Sequence, residues 1–88
     1  MKENQLERYL KAVANRRRLA ILKYLKLNRE APVGEIAGAI HLSLKATSKH
    51  LGILASADIL AREQRSKEMY YSNNSPMPAV VHRVTNFL

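Results

Sequence analysis

The stretch from Leu42 to Leu54, LSLKATSKHLGIL, packs two lysines, two serines, a threonine and a histidine into one helix-sized segment. Lys45 and Lys49 stand four apart with Ser48 beside them, so a helix carries all three along one edge. Ammonium and hydroxyl groups in a row donate hydrogen bonds, and phosphates and base edges accept them. A second cluster, NRRRL from Asn15 to Leu19, sets three arginines in the first turn of a helix, where the dipole disfavours cations by roughly 0.3–1 kcal/mol each. A phosphate offsets that cost by meeting free backbone N–H groups and guanidinium together. Arg62, Arg65 and Lys67 form a third cationic group. The plainer alternatives are a solvated lysine face, and an Arg18 paired with Glu35 or Glu7 that leaves only Arg16 and Arg17 outward.

Other chemistries find little support. The chain has no cysteine, which removes disulfides, thiolate metal sites and cysteine nucleophiles. Its seven carboxylates are scattered, without a glycine-rich phosphate loop or a Ser/His/acid grouping, so no enzymatic activity, cofactor or metal is expected. His41 reads as a turn residue, His50 as DNA-facing or half-buried, and His82 as an interface residue.

Fifteen Lys+Arg against seven Asp+Glu leave a formal charge of +8 on 88 residues. Such an excess repels itself unless a polyanion offsets it, with nucleic acid the first candidate and an anionic membrane the second. No apolar run approaches the ~18 residues that span a bilayer, and MKENQLERYL lacks the apolar stretch of a signal peptide. A cytoplasmic protein of one domain, residues 1–88, is expected.

These clusters need elements to hold them. Asn4 and Glu7 suggest a capping box for a first helix over about 4–14, with Leu6, Leu10 and Val13 on one face. Asn15 caps a second helix with Leu19, Leu22 and Leu25 inward and Ile21 beside them, ended by Asn28 to Pro32. Ile36, Ala37 and Ile40 mark a short third helix, whose Gly34, Ala37, Gly38 and Ala39 allow close approach. His41 closes it in a left-handed conformation and Ser43 caps the next. That fourth helix turns Ala46, His50 or Leu51, and Leu54 inward. Lys45, Thr47, Ser48 and Lys49 form its outer edge, and Asp58 ends it. ILAREQ and EMYYSN then alternate around RSK as a hairpin with a basic tip, and NNSP introduces a last helix with Ser75 as N-cap and Pro76 at its first position.

Short helix, tight turn, polar-faced helix and basic hairpin make up the order of a winged helix-turn-helix, mainly α with a small β-hairpin (α-α-α-α-β-β-α). AVANRRRLAILKYL, VGEIAGAIHLSLKATSKHLGILASADIL and EQRSKEMYYS, over about residues 10–73, resemble the ArsR/SmtB family of winged-helix repressors. The resemblance implies a homodimer paired through residues 1–14 and 75–88, bound to a near-palindromic operator and blocking transcription. Leu6, Leu10 and Val13 would join Val80, Val84 and Phe87 at the two-fold axis. The family's DNA-contacting positions fall on Leu44, Lys45, Ala46, Thr47, Ser48, Lys49 and His50, with Ser43 as the capping serine. Lys49 replaces a frequent His and Leu44 a frequent Gln, which bears on the bases read. Arg16, Arg17, Arg62, Arg65 and Lys67 are expected on the DNA backbone. The family's metal-binding cysteine pair falls on Pro32 and Gly34, and residues 75–88 offer only His82 toward its terminal-helix site, so no metal effector is expected and the effector is unknown. The rivals are a protein-interaction module meeting an acidic partner, and an RNA binder, against which the absence of aromatic residues on the recognition face counts.

Overall fold

Two polar side chains set the helix starts on which the molecule depends. The Asn15 side-chain oxygen accepts from the backbone N–H groups of Arg17 and Arg18 at 3.0 and 3.1 Å, and Ser43 Oγ accepts from that of Ala46 at 3.1 Å. Each satisfies donors that a helix N-terminus leaves without intrahelical partners. The computed structural model describes all of residues 1–88. The order is α1 (Glu3–Val13), α2 (Arg16–Asn28), β1 (Glu30–Pro32), α3 (Val33–Ala39), α4 (Leu44–Ser56), β2 (Leu60–Arg65), β3 (Glu68–Asn73) and α5 (Ala79–Thr85). The capping box expected at Asn4 is absent. Lys2 occupies the N-cap without a side-chain bond, and the Asn4 oxygen instead accepts from its neighbour Gln5 inside the helix.

The ends of α3 and α4 share one device. Leu42 N–H donates to Ala37 O while His41 N–H donates to Gly38 O; Ile59 and Asp58 repeat the pattern onto Leu54 and Ala55. These paired reverse bonds need a left-handed residue just past the helix, usually glycine. His41 and Asp58 take it instead, with φ of 56° and 61°. The first stop ends α3, and the second, with the Ser43 cap, bounds α4 between the turn and the wing.

The sheet has three antiparallel strands in the order β1-β3-β2. Residues 28–32 are expected only to end a helix, yet Glu30–Pro32 pair with Ser72, Tyr71 and Tyr70. Three residues are too few to show alternation, and a proline is tolerated because the strand lies at the sheet edge. The expected start of the last helix at Ser75 and Pro76 also moves, to Ala79 with Pro78 at the cap. Met77 precedes Pro78, and a residue before proline is pushed out of the helical region.

One core joins all layers: Ile21, Leu22 and Leu25 of α2, Ile36 of α3, Leu51 and Leu54 of α4, with Ile59, Tyr71 and Val81. Val13, expected between subunits, is only 4% exposed and belongs to this core. It shares a helix face with Leu6 and Leu10 but lies in the last turn of α1, where Ala12 is buried beside it and Tyr9 one turn before. Gly34 and Gly38 are exposed, and a Cβ on either meets nothing within 4 Å. Ala39 is exposed as well, so of the four small residues expected to allow close approach only Ala37 is buried, beside Ile36.

Candidate nucleic-acid interface

Along α4 the inward seam runs through Thr47, Leu51 and Leu54, all fully buried. Thr47 is therefore not on the outer edge. The seam is one position later than an Ala46 start suggests, Ala46 is half-buried, and the Thr47 hydroxyl has no hydrogen-bond partner. Lys45, Ser48 and Lys49 are exposed as expected, and Leu44 is 59% exposed at the N-terminus of the helix. Ser43 is exposed too, with its hydroxyl oxygen engaged in the cap.

His50 is half-buried between α4 and the start of α2. Its Nδ1 accepts from Arg18 Nε at 3.3 Å, so the ring is neutral at that nitrogen. Burial, and then the positive charges of Arg18, Lys49 and Arg17, hold its pKa below the usual histidine value. Arg18 also donates to the carbonyl oxygens of Lys11 and Ala12 at 3.3 and 3.1 Å, and neither Glu35 nor Glu7 is its partner. Glu35 instead accepts from the hydroxyl of Tyr24. Arg17 is half-buried and donates to Ile40 O at 3.3 Å, tying the start of α2 to the end of α3. Of the three arginines, Arg16 alone is fully outward.

The wing separates its cations by strand parity. Arg62 pairs with buried Tyr71 and shares its face of the sheet, toward α4. Arg65 lies on the opposite face with Glu63, Tyr70 and Glu30, brought together by the pairings Glu63↔Tyr70 and Glu30↔Ser72. Its guanidinium forks onto Glu30 at 2.6 and 2.9 Å, reaches Glu63 at 3.1 Å, and stands 4.5 Å from the Tyr70 ring centroid. The hydrogen bond from Arg65 pulls the Glu30 carboxyl below its ordinary pKa. Arg65, expected on the DNA backbone, is thus held by carboxylates of its own chain. Glu30 comes from the strand that local patterning does not reveal. Lys67, in the two-residue turn with Ser66, is exposed and in no ion pair.

A helix held at both ends, presenting lysines beside a cation-bearing wing, is an arrangement shared with known proteins. Residues 15–60 match the family model described as winged helix-turn-helix DNA-binding. The chain belongs to that family. It is 35% identical over 79 residues to the transcriptional activator HlyU of Vibrio cholerae serotype O1, covering 85% of this chain and 72% of that one. The solved structure of reduced HlyU superposes with a TM-score of 0.81 at 30% identity, covering 97% and 85% of the two chains. The homodimeric winged helix-turn-helix domain of Mb0332 from Mycobacterium bovis, a possible ArsR-family regulator, gives 0.80 at 31% identity over 96% and 74%. ArsR-like proteins thus stand among the structural neighbours of this winged helix. The cysteine pair that the ArsR/SmtB resemblance implies has no counterpart here: Pro32 lies in β1 and Gly34 in the first turn of α3, and neither side chain carries a donor.

Proposed function

We propose that this winged helix-turn-helix chain is a homodimeric, sequence-specific regulator of transcription that represses by lying on an inverted-repeat operator. The observation that carries the reading is α4 itself. Its seam at Thr47, Leu51 and Leu54 is sealed into the core, which leaves Lys45, Ser48 and Lys49 as a fixed outward row. A helix of this width enters the major groove, where lysine reaches guanine O6/N7 or a phosphate and Leu44 meets a thymine methyl. Arg16, Arg62 and Lys67 flank it and supply contacts to the backbone, which position the protein without reading sequence. On this reading the row binds rather than catalyses, and the protein works beside the chromosome in the cytoplasm. No helix is long and apolar enough to cross a membrane.

Dimerisation rests on a separate surface. Leu6 and Leu10 on α1 are 36% and 43% exposed, and Phe87 just beyond α5 is 90% exposed, with Val80 and Val84 half-buried beside it. Uncovered apolar side chains of this size mark an interface. A two-fold axis through them sets the recognition helices into major grooves about 34 Å apart.

Labelled duplex carrying the DNA upstream of the protein's own gene tests the reading, titrated against single-stranded RNA at two salt concentrations. Duplex binding that weakens with salt and maps to an inverted repeat is expected. Absence of duplex binding at low salt overturns it. In sedimentation, Leu10→Glu together with Phe87→Glu yields a monomer if the surface is assigned correctly.

A further inference from the structure

Between α1, α4 and the start of β2 lies an open groove of about 550 Å³. Five cations line it, Arg8, Lys11, Arg18, Lys49 and Arg62, and no carboxylate does. Ala12, Ile53 and Ala57 supply apolar surface within it. The nearest acids are peripheral: Asp58 stands 3.9 Å from Arg8, and Glu7 stands 3.6 Å from Lys11. Both pairs are exposed, and such pairs neutralise little. Arg18 is preorganised, because His50, Lys11 and Ala12 hold its Nε and Nη1 and leave Nη2 unused by those bonds.

We propose that this groove binds a small organic anion with an apolar body, a carboxylate or sulfonate on a ring or short alkyl chain, and that occupancy releases DNA. A DNA backbone calls for cations alone and leaves the apolar surface of Ala12, Ile53 and Ala57 unused. A compact amphiphile satisfies both parts, and the volume matches small-molecule sites. Release follows from shared residues. Lys49 belongs to the recognition row and Arg62 to the wing, so a carboxylate on them removes two cations from DNA. This second half rests on the DNA-binding reading above.

The test uses the full chain, labelled with nitrogen-15, and three probes: 2-naphthoate, its neutral analogue 2-naphthalenemethanol, and inorganic phosphate. Naphthoate is expected to saturate and shift the amides of Ala12, Gly52, Ile53 and Arg62, with the alcohol and phosphate each roughly tenfold weaker for want of one half of the recognition. Arg8→Ala, outside the DNA-contacting set, should weaken naphthoate about fivefold and keep duplex affinity within about twofold. Excess naphthoate should dissociate labelled duplex from the wild type at concentrations that spare the variant. Shifts confined to Leu6, Leu10 and Phe87, equal affinity for the alcohol, or parallel loss of duplex and naphthoate affinity in Arg8→Ala would each overturn the proposal. Duplex binding without naphthoate binding removes the groove alone. Naphthoate binding without duplex binding removes release and the DNA reading and leaves the groove.

Discussion

Helix α4 and the β2–β3 wing both present cations, and they hold them by opposite means. On α4 the charges are free and the backbone beneath them is fixed: Lys45 and Lys49 are exposed above a seam of fully buried residues. On the wing one cation is itself tied, Arg65 being forked onto Glu30, bonded to Glu63 and stacked near Tyr70, while Arg62 and Lys67 are in no ion pair. Availability, more than charge, separates a residue that can bind DNA from one that braces the hairpin for a neighbour such as Lys67. The wing is a two-stranded ribbon that is marginal alone, and its third strand and this ion cluster give it rigidity.

The largest effect should come from cutting the seam. Leu51→Ala, at a site with no exposure, is expected to cost about 2–5 kcal/mol in urea unfolding, a large share of a small domain's stability. A cost under about 1 kcal/mol would show that α4 is not anchored there. Next, Lys49→Ala should lower duplex affinity roughly tenfold in anisotropy titrations and change base preference. On the wing, Lys67→Ala should weaken binding about threefold on every sequence, whereas Arg65→Ala should stay within about twofold and lower the thermal midpoint instead. If Arg65→Ala matched Lys49→Ala on DNA, the contrast between free and tied cations would collapse.

A smaller effect concerns the joint between α2 and α4. The folded-state pKa of His50 lies below its unfolded value, so the joint's full stability is present above about pH 6.5 and is lost as pH falls from there through the folded pKa. Urea midpoints measured from pH 7.5 downward should decline, and His50→Gln should remove that part of the decline. The smallest change is expected at Thr47. Replacing its unpartnered hydroxyl with the isosteric valine should leave stability within about 1 kcal/mol of wild type, or raise it, with duplex affinity unchanged. Ser48→Ala, one residue along, should lower duplex affinity at constant stability.

Much of this was legible along the chain because it is local. Caps at Asn15 and Ser43 rest on a side chain reaching two or three residues ahead, and the stops at His41 and Asp58 rest on one backbone conformation each. The helix order, the hairpin and the outward lysines follow from such short-range rules. Where local rules run close together they misplaced details. Ala46 and Thr47 both suit a helical seam, and only contact with the core selected Thr47. Ser75 is a good cap in isolation, and Pro78 moved the helix past it.

What the sequence determined by itself is every element but β1 and the sign of the charge they carry, since propensity, capping and periodicity act within a few residues. What the tertiary structure alone decided is which charges remain available. Glu30 meets Arg65 across 35 residues, and Arg18 meets His50 across 32. Those partners are chosen by strand register and helix packing, which no local window contains. The same packing gathers Arg8, Lys11, Lys49 and Arg62 from three elements around one groove, because cations far apart in sequence become neighbours only when the core beneath them closes.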